Sequence, residues 1–152
     1  MHKWLGALLV LISVCVSAAV PGDVEVFDPS RDAAADIARA VVEAKRSNRR
    51  ILLDVGGDWC SWCHLLDRMF VQNAELRELR EKHFIWVKVN KSPENNNEAL
   101  LARYPKIKGY PHLFVLDRDG RLLHSQDTFE LEEGKGYSVA RIRGFLERWA
   151  TR

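Results

Sequence analysis

The stretch Ile51-Leu52-Leu53-Asp54-Val55-Gly56-Gly57-Asp58-Trp59-Cys60-Ser61-Trp62-Cys63 decides how this chain is read. Its first five residues are a nearly continuous apolar run, interrupted by Asp54, which suits a central strand covered on both faces. Gly56-Gly57 breaks the run. From Ser61 to about Phe70, Trp62, Leu65, Leu66 and Met69 recur at helical spacing, so a helix opens where the two cysteines stand. A helix mouth carries backbone N–H groups without intrahelical partners and the positive end of the helix dipole, and both favour thiolate over thiol. Cys60 occupies that mouth, while Cys63 lies one turn in and is expected to be the more buried. A division of labour follows: Cys60 attacks a disulfide and Cys63 resolves the mixed disulfide. Asp54, six residues before Cys60 in an apolar strand, is expected to hold its proton to unusually high pH and to take the proton of Cys63. The competing reading of Asp54 is a strand-end acid turned to solvent.

Strands and helices alternate on either side of this segment. Asp32 to Ser47 carries Ala33, Ile37, Ala40, Val41 and Ala44 on one helical stripe, ahead of the strand at Ile51–Val55. Ala74 to Lys82 reads as a further helix and His83 to Val89 as a second strand ending at Asn90. A polar turn holds Ser92-Pro93-Glu94 and Asn95-Asn96-Asn97, and a short helix is expected from Glu98 to Tyr104. His112 to Leu116 is a strand, Asp117-Arg118-Asp119-Gly120 a hairpin turn, and Leu122 to Ser125 the returning strand. Ser138 is placed to cap a last helix whose Val139, Ile142, Leu146 and Trp149 line one face. No internal repeat or linker interrupts the pattern, so one α/β domain is expected.

Composition narrows the possible functions. With 47% hydrophobic residues, Gly 9 and Pro 5 in 152, neither disorder nor a fibrous chain is expected. Lys+Arg 23 against Asp+Glu 21 leave a net charge of +2, and no basic stripe interleaved with aromatics is present, so nucleic acid is not an expected partner. His2 and Lys3 precede an apolar run from Trp4 to Val16, followed by the small residues Ser17-Ala18-Ala19. This is the pattern of a secretory signal peptide over residues 1–19, leaving a mature domain of residues 20–152. The run of roughly 13 residues is short of the ~20 that span a bilayer, which argues against a retained anchor and against membrane insertion after cleavage. A lipid-attachment reading of Cys15 meets Val14, where a small residue is favoured. The expected location is the periplasm, or otherwise outside the cytoplasm. Cys15 would leave with the signal, and an exported chain retaining only Cys60 and Cys63 is not building a disulfide framework. A bridge across so short a loop adds little entropic stabilisation, so the pair is read as reactive.

The quoted strand, loop and helix resemble the active-site segment of the thioredoxin superfamily, including the acid in the strand, the Trp before the first Cys and the two-residue spacer. Lys88 falls where thioredoxins often carry a lysine near that acid, and Gly109-Tyr110-Pro111-His112 resembles their cis-proline loop. The likeness covers roughly Val24 to Trp149. It implies a thioredoxin fold, in which a central mixed β-sheet is flanked by helices on both faces. It also implies catalytic Cys60, Cys63 and Asp54, a supporting Lys88, and a client-binding rim of Trp59, Trp62, Tyr110 and Pro111. A cis Tyr110–Pro111 bond would leave the Tyr110 backbone to pair with an extended substrate. Two features depart from the minimal thioredoxin: the Ser61-Trp62 spacer and the added length in the Asn-rich loop and Thr128–Tyr137. The added length is more like the exported thioredoxin-like proteins akin to the soluble C-terminal domain of the disulfide interchange protein DsbD. The implied activity is reduction or isomerisation of exported protein disulfides, with electrons from a membrane partner and no cofactor.

Other readings compete for the same cysteines. A dithiol oxidase would stabilise its reduced thiolate, but Ser61-Trp62 supplies no charge and an ionised Asp58 opposes it. Cys60-Ser61-Trp62-Cys63-His64 also spells the C-x-x-C-H haem-attachment pattern, with His64 as axial ligand and His83, His112 or His124 as distal candidates. Its position after a strand argues against haem, and Met69 is too close to reach the opposite haem face. Zinc would need two further ligands that the spacing does not offer. A non-catalytic binding module has no evident use for Asp54 and Trp59. His64 is expected to be a solvated side chain, and Trp62 an exposed aromatic that contacts client proteins.

Overall fold

The structure, a computed structural model, describes residues 27–152, so the signal expected at residues 1–19 and the start of the mature domain lie outside the described residues. Helix α1 (Ala33–Ser47) begins where the Asp32 carboxylate accepts the Ala35 N–H at 3.0 Å, an N-cap that satisfies one of the helix's orphan donors. It ends at Asn48, whose φ of 55° lies in the left-handed region that Asn tolerates. Strand β1 (Arg50–Gly56) then enters the middle of the molecule. Helices α2 (Ser61–Gln72) and α3 (Ala74–His83) follow, and then strand β2 (Phe84–Asn90). His83 thus closes α3 instead of opening the strand.

The sheet has the order β2-β1-β3-β4, with β3 at His112–Leu116 and β4 at Leu122–Asp127. Strands β1 and β2 are parallel, whereas β1–β3 and β3–β4 are antiparallel, so the sheet is mixed. Alternation along a strand sends successive side chains to opposite faces. Leu52, Leu113 and Val115 therefore pack with Leu66 and Phe70 of α2, Leu76 of α3, and Ile142 and Leu146 of helix α5 (Val139–Arg148). Ile51, Leu53, Val55, Phe114 and Leu116 pack on the other side against Ala33, Ala40 and Ala44 of α1. Six buried residues in a row in β1 are what a strand covered on both faces requires. This is the thioredoxin fold, with helices on both faces of a mixed sheet.

Two local expectations change. Helix α4 stops at Glu98–Leu101 instead of reaching Tyr104. Arg103 and Tyr104 make tighter bonds to the Leu100 and Leu101 carbonyls, and Pro105 disfavours helical backbone at the residue before it. Ser138 stands at the N-cap of α5, but its side chain makes no capping bond. Thr128–Tyr137 folds into a 3-10 turn (Thr128–Leu131) and a two-residue hairpin of β5 (Glu132–Glu133) and β6 (Gly136–Tyr137), which delivers Tyr137 toward α2. Gly120 closes the β3–β4 turn at φ 83°, a conformation that β-carbon sterics disfavour in other residues. Among the described residues no helix is long and apolar enough to cross a membrane.

Candidate active site

Cys60 is the N-cap of α2 and Cys63 lies in its first turn, and the two are joined by a disulfide with Cα atoms 5.2 Å apart. The Cys63 N–H points at the Cys60 sulfur, 3.2 Å away, while the Cys60 carbonyl takes the Cys63 and His64 N–H groups. When the bond is reduced, those N–H dipoles and the helix end stabilise negative charge on Cys60. Cys63 is fully buried and Cys60 slightly open, at 5% exposure. Gly56 makes that packing possible: a β-carbon there would stand 2.5 Å from the Cys63 sulfur and 2.9 Å from the Phe27 ring.

Beneath the cysteines lies a charged cluster that the sheet register assembles. Asp54 of β1 pairs with Lys88 of β2 across the parallel ladder, and both lie on the face that α2 covers. The Lys88 ammonium donates to Asp54 Oδ2 at 2.8 Å and, in a second short contact, to Asp67 Oδ1 of α2. Asp54 is completely buried and Lys88 is 8% exposed. Burial, the dominant influence, pushes the Asp54 carboxyl above the usual carboxylate range; the Lys88 charge opposes this and the Asp67 charge adds to it. For Lys88, burial alone would lower the ammonium, but the carboxylates of Asp54 and Asp67 more than offset it and hold it above its ordinary range. Asp54 Oδ1 has no hydrogen-bond partner among the described residues, so one oxygen of the buried acid is open to receive a proton. Asp54 is therefore an interior acid, not a strand-end group turned to solvent.

Asp67 and Phe27 have no place in the sequence reading. Asp67 sits four residues after Cys63 and so shares its helical face, which was the available signal. Phe27 lies outside every helix and strand, yet it packs with both cysteines and stands over Lys88 at 4.2 Å from ring centroid to Nζ.

The rim is aromatic. Trp59 is 58% exposed but held in place: its indole N–H donates to the Lys91 carbonyl at 2.7 Å, and its ring meets Tyr110 edge-on at 5.5 Å. The Tyr110–Pro111 peptide bond is cis, and the Pro111 carbonyl accepts the Thr128 hydroxyl at 2.5 Å. Trp59, Pro93 and Tyr110 line an open apolar groove beside the disulfide. Trp62 differs from its expected exposure. It is half-buried, edge-on to Tyr137 at 5.4 Å, because the β5–β6 hairpin brings that tyrosine over the spacer. His64 is likewise engaged, its Nε2 lying 2.8 Å from the Asp58 carbonyl. These positions do not fit a haem joined to both sulfurs, since Cys63 is enclosed by Phe27 and Gly56 and the His64 nitrogen is already bonded.

A dithiol poised at a helix mouth in this fold defines a thiol:disulfide oxidoreductase. The chain belongs to the Thioredoxin-like family, whose profile matches residues 32–118. It is similar to the disulfide bond reductase DsbH of Chlamydia pneumoniae, with 27% identity over 95% of this chain and 93% of that protein. It also resembles the thiol:disulfide interchange protein DsbD of a Pseudomonas strain, with 31% identity over 89% of this chain, although the match spans 22% of DsbD's length. Among solved structures, a disulphide isomerase from Xylella fastidiosa superposes with a TM-score of 0.70 and 28% identity, over 80% of this chain and 94% of that one.

Proposed function

We propose that this protein reduces or isomerises disulfides of exported proteins. The Cys60 thiolate attacks one sulfur of a client disulfide, forming a Cys60–client bond and releasing the other client sulfur as thiolate. Cys63 passes its proton to Asp54 and attacks the Cys60 sulfur, releasing the second client thiol and leaving the Cys60–Cys63 disulfide. Two electrons pass to the client, and a membrane-bound dithiol donor restores the reduced pair. Trp59, Tyr110 and Pro111 form the platform on which an extended client segment lies, with Trp62 as its half-buried flank. Lys88 supports the acid. Export, to the periplasm or beyond the cytoplasm, rests on the signal pattern over residues 1–19 and the domain that follows at 20–152.

The single observation that carries this reading is the arrangement of a shallow Cys60 at the helix mouth, an enclosed Cys63, and a buried acid with one open oxygen. The reductase named among the relatives supports the direction of electron flow. Cys63→Ser is expected to trap clients as mixed disulfides on Cys60, while Cys60→Ser traps none; equal trapping by both contradicts the assignment. Equilibration with glutathione reads direction: a potential near −230 to −270 mV fits a reductant, and one near −120 mV makes the protein an oxidase.

A further inference from the structure

Phe27 is 1% exposed although it belongs to no regular element, and α1 begins six residues later. A buried ring in a connecting segment needs something to pack against, and here that is the redox site. The ring shares a cluster with Cys60 and Cys63 and fills the hollow that Gly56 leaves beside the Cys63 sulfur. Its π face meets the Lys88 ammonium at 4.2 Å, within the range of a cation–π contact. The Phe27 N–H donates to Asp58 Oδ1 at 3.3 Å, tying the segment to the loop that leads into Cys60.

An ammonium has three N–H groups; in Lys88 the carboxylates of Asp54 and Asp67 engage it, and the Trp86 ring stands further off, 5.5 Å from Nζ, than the ring of Phe27. A ring over the remainder attracts the cation without offering water a way to the carboxylates. Among the described residues, Phe27 is thus part of the cover over the cation that pairs with Asp54.

We propose that Phe27 is a positioning residue of the redox site. Its ring seals Lys88 and Cys63 from solvent and holds the Asp54–Lys88–Asp67 cluster in the dry state in which Asp54 takes the Cys63 proton. The inference rests on the assignment of Asp54 as proton acceptor. The charged and titratable groups around Asp54 are Lys88 of β2, Asp67 of α2, Arg80 of α3 and Tyr137 of β6, and none is altered by changing Phe27.

The test uses the full chain. The rate at which Cys63 releases a thiol-conjugated peptide from a preformed Cys60 mixed disulfide is followed against pH in the parent, Phe27→Ala and Phe27→Leu. Water admitted over Lys88 relieves the burial of Asp54, so the acid limb should move to lower pH, by about one unit in Phe27→Ala. Phe27→Leu should give a smaller shift in the same direction, and it decides the matter if Phe27→Ala does not fold. Acid limbs that coincide with the parent's, or that move to higher pH, overturn the role of Phe27. A parent limb unaffected by Asp54→Asn overturns the proton-acceptor assignment itself, and the inference with it. A loss of folding stability alone would leave the limb in place, so a purely structural role is read as a failure.

Discussion

Replacing Lys88 by Met removes the ammonium that stands between Asp54 and Asp67 while keeping most of the side chain's volume. All three groups are buried, so the loss is not screened by solvent as it would be at the surface. Deleting one partner of a buried ion pair destabilises by about 3–5 kcal/mol, because a charge is left without compensation in a poorly polarisable interior. The sign of the pH dependence follows from Asp54. In the parent its carboxyl keeps a proton to higher pH folded than unfolded, so the folded state binds more protons across that interval and stability falls as pH rises through it. Without the Lys88 charge that opposes this shift, the interval extends further upward. The deficit of Lys88→Met should therefore be largest at pH 8. It should shrink toward pH 5 by up to about 1.4 kcal/mol per pH unit, as the folded variant takes up the Asp54 proton. Urea unfolding of the reduced parent and variant at intervals from pH 5 to 8, followed by tryptophan fluorescence, measures the difference. A deficit that does not vary with pH, or one under about 1 kcal/mol at pH 8 as expected of an exposed pair, would refute the reasoning.

Two further substitutions probe the same neighbourhood. Asp54→Asn should slow the release of a Cys60 mixed disulfide by about 100-fold, the contribution of a positioned general base, with the fold retained; single-turnover kinetics and a thermal melt together check both halves. Gly56→Ala inserts a carbon 2.5 Å from the Cys63 sulfur and should destabilise by about 1–3 kcal/mol by overpacking, read as a lowered unfolding midpoint in urea.

Much of this molecule follows from local patterns. An apolar run bounded by Gly56-Gly57 is a strand because its residues are hydrophobic on both alternating faces, and the structure places β1 between two covered faces. Cys60 at the start of α2 is a consequence of where helical spacing begins. The boundaries that shifted depend on neighbours. Helix α4 ends early ahead of Pro105, and His83 joins α3, its Nδ1 lying 3.0 Å from the Thr151 hydroxyl at the far end of the chain. Trp62 shares the helical spacing of Leu65, Leu66 and Met69, yet its place in the two-residue spacer also suits an exposed aromatic, and local sequence does not choose between the two. Its half-burial is due to Tyr137, which lies 75 positions further along and reaches it only through a two-residue hairpin.

The amino-acid order by itself determined the paired cysteines, the helix mouth at which Cys60 stands, and the acid in the strand before it, because each rests on contacts within a few residues along the backbone. Only the tertiary structure decided that Asp67 shares Lys88 with Asp54 and that Phe27 covers the cation. Those contacts join β1, β2, α2 and the segment ahead of α1, and their strength comes from the exclusion of water. Burial of that kind is a property of the packed whole, and no window of sequence carries it.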